Sequence, residues 1–107
     1  MEQMAFSNLN KNDFLMQAGL ASENHVAFAN FVRDAEVFCE DGRSGVIDEN
    51  LAQYRKIWFD LEVINALALD DWESEGKPAN WLPQWEERYK NDAKEVIAEL
   101  RVLLTSL

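Results

Sequence analysis

The sequence contains few of the residues that catalysis and metal binding usually require. Cysteine occurs once, as Cys39, and histidine once, as His25. An intramolecular disulfide is therefore impossible, and the spacings typical of zinc ligands are missing. The two residues are fourteen positions apart, about 21 Å along a helix, which is too far for a nucleophile and its base. We expect Cys39 to be a core residue and His25 to lie at the surface or in a helix cap.

Glycine is also scarce, at four residues, and it forms no phosphate-binding loop. The segment Gly42-Arg43-Ser44-Gly45 is short and no lysine follows it, so it predicts a turn. The acids that follow residue 69 lack the glycine-centred loop of a calcium-binding hand. Twenty acidic residues allow many carboxylate pairs, but the sequence singles out none. We therefore predict no cofactor, no metal and no enzymatic activity.

Long apolar runs and a basic leader are both missing. The first six residues, MEQMAF, include no basic side chain, so they do not predict a signal peptide. The longest apolar run, residues 63–69, contains Asn65 and is far shorter than the ~18 residues of a membrane span. A single cysteine agrees with a reducing compartment. These features predict a soluble, cytoplasmic protein that does not enter a membrane.

The residues that are present predict one folded, all-α domain over residues 1–107. The hydrophobic fraction is 48% and the aromatic fraction 11%, which is too rich for a disordered chain. A chain of 107 residues fits a single domain. No segment alternates apolar and polar residues over a strand's length, and β-branched residues are few. Strands are therefore not expected.

The glycines divide the chain into four blocks, and the first two predict helices. In the first block, a helix over about residues 11–18 ends before Gly19, which fits the residue that follows a helix. The second block begins at Ser22 as the N-cap, with Glu23 well placed for the helix dipole, and Gly42 closes it. Its apolar face consists of Phe28, Phe31, Val32, Ala35, Phe38 and Cys39.

The third block predicts a helix from Asp48, as N-cap, to about Ser74, with apolar residues on two sides. One side consists of Leu51, Tyr54, Trp58, Leu61, Ala68 and Trp72, with Asn65 in its one polar position. The other consists of Phe59, Val63, Ala66 and Leu67. A helix that is apolar on two sides is usually central in a bundle, so we expect deep burial of Trp58. The alternative is that the second side meets a partner.

The fourth block follows the loop that contains Pro78 and predicts a helix starting between Trp81 and Gln84. Pro83 is tolerated in the first turn of a helix. The apolar face of this block consists of Trp85, Tyr89, Val96, Leu100, Leu103 and Leu107. Two long helices, one of intermediate length and one short helix together predict an irregular four-helix bundle.

The chain is strongly acidic, with 20 acidic and 10 basic residues and a net charge of −10. Such a surface repels nucleic-acid phosphates and anionic lipids, so direct nucleic-acid binding is disfavoured. A basic protein domain is the favoured partner. The alternative is that the acidity only keeps the protein in solution.

The acids gather around two loops, which are the predicted partner-binding regions. One group surrounds the turn at residues 42–45 and consists of Glu40, Asp41, Asp48 and Glu49. The other ends the third helix and consists of Asp70, Asp71, Glu73 and Glu75. Acids at a helix C-terminus oppose the dipole, so their placement indicates recognition of a partner. Trp81, in the following segment, is a candidate anchor for that partner, or it plugs the end of the bundle.

The chain is small, lacks a catalytic residue set and carries acidic loops such as Asp70-Asp71-Trp72-Glu73-Ser74-Glu75. In these features it resembles the small acidic immunity proteins of bacterial polymorphic-toxin and contact-dependent growth-inhibition systems. The resemblance implies a cytoplasmic protein that binds a basic toxin domain, often a nuclease acting on DNA or transfer RNA, and blocks its active site.

Two further functions remain open from the sequence. A phage-type nucleic-acid mimic would carry its acids in regular rows on one face, but here they are interrupted by Arg43, Lys56, Lys77 and Arg88. A helical adaptor subunit without an inhibitory role would use the second apolar side of the third helix.

Overall fold

A computed structural model describes the chain over residues 11–40 and 48–105. These ranges form five helices: α1 (Lys11–Leu20), α2 (His25–Glu40), α3 (Asp48–Ser74), α4 (Leu82–Arg88) and α5 (Lys90–Thr105). No strand occurs in these ranges, and the predicted all-α class is confirmed. None of the helices in these ranges combines the length and hydrophobicity that a bilayer span requires.

The long helix α3 is the central element, because it packs against both α2 and α5. Helix α1 lies against α2 and α5, and α4 lies against α5. The core contains the predicted phenylalanines of α2, and Phe14 of α1 stacks on two of them: its ring centroid is 4.9 Å from that of Phe31 and 4.4 Å from that of Phe38. The largest fully buried side chains are Trp85, Tyr54, Phe14, Phe28, Phe31 and Phe38. Burial of Cys39 stays a prediction, since its side chain lies outside the described part.

The end of the first helix and the start of the second differ from the prediction, whereas the first helix begins at Lys11 as predicted. Helix α2 begins at His25, and Oδ1 of Asn24 accepts a hydrogen bond of 2.8 Å from the backbone N–H of Ala27. Asn24 is therefore the N-cap, and the prediction of Ser22 was wrong, because Ser22 is buried in the preceding turn. Gly19 lies within α1 and does not follow it.

The fourth block forms two helices and not the single one that its apolar face predicts. The break is at Tyr89, which leaves the helical backbone region at φ −127° and ψ −26°. The Tyr89 hydroxyl donates a hydrogen bond of 2.7 Å to Asp71 of α3. This bond ties the break between α4 and α5 to α3.

Only one of the two apolar sides of α3 is buried. Tyr54, Ile57, Leu61 and Ala68 face the core, whereas Phe59, Val63 and Leu67 are 60%, 40% and 56% exposed. The interpretation of the second side as bundle interior was wrong, because α2 and α5 cover one side of α3 only. Trp58 lies at the boundary and is half-buried, not deeply buried. Its indole Nε1 donates a hydrogen bond of 3.0 Å to the carbonyl oxygen of Val32.

Candidate functional site

Helix α3 ends in a tight turn that uses two residues of positive φ. Gly76 has φ 88° and Lys77 has φ 56°. The backbone N–H of Gly76 bonds to the carbonyl oxygen of Glu73 at 3.1 Å, and that of Lys77 bonds to the carbonyl of Trp72 at 3.0 Å. These bonds satisfy carbonyl groups that a helix end otherwise leaves free. They also direct the following segment, residues 77–82, back past the start of α2.

This segment, the start of α2 and the end of α3 enclose a cleft of about 510 Å³. The indole Nε1 of Trp72 holds the segment in place by donating a hydrogen bond of 3.0 Å to the carbonyl oxygen of Pro78. The walls are mainly aromatic and apolar, and include His25, Leu69, Trp72, Pro78, Trp81 and Trp85. A concave, mainly apolar surface of this size suits insertion of an apolar group from a partner. We call it the tryptophan cleft.

His25 is a wall residue of the tryptophan cleft and not the surface or capping residue that the sequence suggested. Its imidazole is half-buried and stacks on Trp85, with ring centroids 5.4 Å apart and planes at 12°. Nε2 of His25 and Oδ1 of Asn65 are hydrogen-bonded at 2.9 Å. The single polar position on the buried side of α3 is thus matched by the only histidine of the chain.

The structure corrects the expectation that Trp81 reaches into a pocket of a partner. Its side chain is only 6% exposed, because it packs beside His25 at a centroid distance of 5.6 Å and beside Tyr89 at 6.0 Å. Trp81 therefore lines the tryptophan cleft. Its indole Nε1 is buried and has no hydrogen-bond partner among the described residues.

Two of the four predicted acids at the end of α3 are used inside the chain. Nη1 of Arg88 lies 3.3 Å from Oδ2 of Asp71 and 2.5 Å from Oε2 of Glu75. The hydrogen bond to Glu75 raises the pKa of Arg88 above its ordinary value, and both carboxylates add to the shift. Asp71 also accepts the Tyr89 hydroxyl. These contacts fasten the α4–α5 junction to α3, which explains why acids stand at this helix end despite the dipole.

Burial raises the pKa of the Tyr89 hydroxyl to about 12, and the hydrogen bond to Asp71 and the charge of that carboxylate act in the same direction. The hydroxyl therefore keeps its proton at neutral pH and serves as a donor. Asp71 is in turn held between a guanidinium and a phenol.

The other two acids, Asp70 and Glu73, are exposed and form no ion pair within the described residues. They flank Leu69 and Trp72 of the tryptophan cleft in the sequence. Of the four predicted residues of this group, these two are the ones without an ion pair among the described residues, and the binding role of the group stays a prediction.

The second predicted group of acids, around residues 42–45, lies where the two described ranges end and begin. Asp41 lies outside them, and Glu40, Asp48 and Glu49 are described only as helical backbone. Their role in binding stays a prediction. Within the described part of the chain, no three of the histidine, cysteine and acidic side chains are placed to hold a metal ion.

Sequence reasoning missed the contribution of Arg88, Tyr89 and His25 to this region. Arg88 and Tyr89 are seventeen and eighteen residues from Asp71, so no helical spacing links them. The one clue for His25 was the single polar position, Asn65, on the buried side of α3.

Comparisons with protein-family models, with curated proteins and with solved structures each find no match for this chain.

Proposed function

We propose that this protein binds a basic protein domain through the tryptophan cleft and the two exposed acids Asp70 and Glu73 at the end of α3. The observation that carries the proposal is a cleft of about 510 Å³ with three tryptophans in its walls, at the same end of α3 that carries the exposed acids Asp70 and Glu73. Protein interfaces commonly combine an apolar anchor in a desolvated pocket with charges at the rim.

The two parts of this surface have different tasks. The net charge of −10 and the exposed carboxylates attract a basic partner and raise its association rate. An apolar or aromatic side chain of the partner then enters the tryptophan cleft and slows dissociation. Lys77 also lines the cleft, and its ammonium group disfavours a cationic side chain as the inserted group.

The specific role that we propose is inhibition, with the chain acting as an immunity protein. It would neutralise a cognate basic toxin domain, such as a nuclease acting on transfer RNA or DNA, in the cytoplasm. The acidity, the small size and the resemblance to immunity proteins of polymorphic-toxin systems support this role. Against a nucleic-acid mimic stands the pairing of Asp71 and Glu75 with Arg88, which places a positive charge between two of the acids and interrupts a continuous row.

The first experiment identifies the partner and measures what the exposed acids contribute to the association rate. The tagged protein is used to capture partners from its native host, and binding kinetics are then measured at two salt concentrations. Asp70→Asn with Glu73→Gln is expected to slow association and to weaken its salt dependence. The control is Glu95→Gln with Glu99→Gln, which changes the net charge equally on the exposed face of α5.

A second pair of variants tests the tryptophan cleft. Ala29 lines it, so Ala29→Leu partly fills it and is expected to speed dissociation while leaving the association rate nearly unchanged. Ala98→Leu adds the same atoms on an exposed part of α5 and serves as the control. Equal effects of the two leucines would contradict the assignment of the cleft as the binding site.

Inhibition is then tested directly on a captured nuclease. Cleavage of its nucleic acid is measured with and without a molar equivalent of this protein. Full activity of the complex would exclude the immunity role and favour an adaptor subunit.

A further inference from the structure

One long side of α3 carries apolar residues that no described helix covers. It consists of Ala52, Lys56, Phe59, Val63, Ala66, Leu67 and Asp70, and all seven are exposed. We call it the outer face of α3. With 3.6 residues per turn, each of these residues lies within about 60° of the direction of Val63. Asp60, which is half-buried, lies at the edge of the same side. Tyr54, Leu61 and Ala68, which face the core, lie on the opposite side of the helix.

The apolar and charged residues of the outer face form one stripe along the helix. Lys56, Phe59, Val63, Leu67 and Asp70 follow one another at steps of three, four, four and three residues. Residues three or four positions apart lie on the same side of a helix. The occupant that this face fits is therefore a second helix.

The charges on the outer face are placed symmetrically about Val63. Lys56 precedes Val63 by seven residues and Asp70 follows it by seven. Likewise, Phe59 precedes it by four and Leu67 follows it by four. Neither Lys56 nor Asp70 forms an ion pair within the described residues. Both are exposed, so each can meet an opposite charge on another molecule.

We propose that the outer face of α3 binds the outer face of a second copy of this chain, with the two helices antiparallel about a two-fold axis at Val63. This arrangement places Val63 against Val63, Phe59 against Leu67, and Lys56 against Asp70 in two symmetric ion pairs. A parallel pair would oppose Lys56 to Lys56 and Asp70 to Asp70, which is unfavourable. Self-complementarity of this kind is the requirement for a two-fold interface.

The outer face offers Lys56 and Asp70, which have opposite charges, at equal distances from Val63. A surface of this kind is matched by its own copy. Because Asp70 is also one of the exposed acids of the proposed partner site, the dimer and the basic partner would use this residue in turn. The size of one helical stripe, below about 1,200 Å² of buried area, and the repulsion between two acidic chains both predict a weak dimer.

The oligomeric state is measured by sedimentation equilibrium with the intact chain, up to millimolar protein concentration. The wild-type protein is expected to show a reversible monomer–dimer equilibrium. Val63→Asp is expected to raise the dimer dissociation constant about tenfold or more, because it places two carboxylates together on the axis. Val102→Asp changes the same residue type at a site of α5 that is 66% exposed, and it should leave the dimer unchanged.

Charge reversal tests the predicted pairing. Lys56→Glu and Asp70→Lys should each weaken the dimer, and the double variant should restore it, since the two charges then pair again in the exchanged sense. Phe59→Ser changes the outer face without a charge and should also weaken the dimer. Far-ultraviolet circular dichroism of each variant shows that the helices are intact.

Cross-linking tests the orientation of the two helices. In a Cys39→Ala background, Phe59→Cys and Leu67→Cys proteins are mixed and treated with a short bis-maleimide. The antiparallel dimer gives the mixed product, whereas a parallel dimer gives the two homogeneous products. A monomeric wild-type protein at millimolar concentration, a dimer that survives Val63→Asp, or homogeneous products would each overturn the proposal. None of these measurements uses the basic partner, so their failure leaves the proposed function untouched.

Discussion

The indole Nε1 of Trp85 donates a hydrogen bond of 2.8 Å to the carbonyl oxygen of Ser22, a residue 63 positions earlier in the chain. The bond joins α4 to the turn between α1 and α2. The Trp85 side chain is fully buried and packs against both His25 and Phe28, at centroid distances of 5.4 and 5.3 Å. One side chain thus closes the end of the helical assembly at which the tryptophan cleft lies.

Trp85→Ala is expected to lower the free energy of unfolding by about 3–5 kcal/mol, the usual cost of truncating a buried aromatic residue. Trp85→Phe keeps an aromatic ring but leaves the Ser22 carbonyl without its partner, at a cost of about 1–3 kcal/mol. Urea denaturation measures both. Trp72→Phe removes a comparable hydrogen bond from a half-buried indole, so it should lower the free energy of unfolding by less than Trp85→Phe does. A larger loss for Trp72→Phe would contradict the role of Trp85 in closing this end of the helical assembly.

Trp58 and Phe59 are neighbours in the sequence, but replacing them should have unequal effects. Trp58→Ala removes a half-buried ring and its bond to Val32, with an expected loss of about 2 kcal/mol. Phe59→Ser removes a ring that is 60% exposed and should change the free energy of unfolding by less than about 0.5 kcal/mol. Denaturation at low protein concentration, where the chain is monomeric, measures the difference. Equal losses would mean that the two sides of α3 are equally buried.

Two glycines should respond in opposite directions to replacement by alanine. Gly19 lies in α1 with open space around its α-carbon, so Gly19→Ala should stabilise the protein by about 0.5–1 kcal/mol. Gly76 has φ 88°, a conformation that costs an alanine about 1–2 kcal/mol. Thermal unfolding of the two variants provides the measurement. A lower melting temperature for Gly19→Ala would contradict the helical placement of that residue.

Stability should fall between about pH 10 and pH 12 through the titration of Tyr89. The folded protein holds the Tyr89 proton to about pH 12, whereas an unfolded chain releases it near pH 10. The stabilisation is therefore complete below pH 10 and is lost as the pH rises through the folded value. Tyr89→Phe should remove this part of the pH dependence, as seen in urea denaturation at several pH values. An unchanged alkaline slope in the variant would show that Tyr89 is not the responsible group.

The sequence predicted the parts of the fold that depend on periodicity within one helix. The phenylalanines of α2 recur every three or four residues, and this spacing located both the helix and its buried side. The limits of α3 also agree closely, since the helix runs from Asp48 to Ser74. These features depend on neighbours in the sequence, so no knowledge of the tertiary arrangement was needed.

The candidate site depends on contacts between distant residues, and for that reason only half of it was predicted. The acids of α3 were recognised by their position at a helix end. That Arg88 binds two of them is a consequence of the break at Tyr89, which no local pattern indicated. The sequence also could not predict the burial of Trp81, because an aromatic residue in a loop can either project towards a partner or line a cleft.

The distribution of tryptophan in this chain makes the cleft observable without any label. Three of its four tryptophans, Trp72, Trp81 and Trp85, line the tryptophan cleft, and Trp58 is not among its lining residues. Intrinsic fluorescence of the native protein therefore arises largely from the walls of one site. A group that enters the cleft displaces water from indole rings, and the emission maximum and the quenching by acrylamide should both change. A titration with the isolated partner domain, followed at a single excitation wavelength, would report occupancy of the cleft directly.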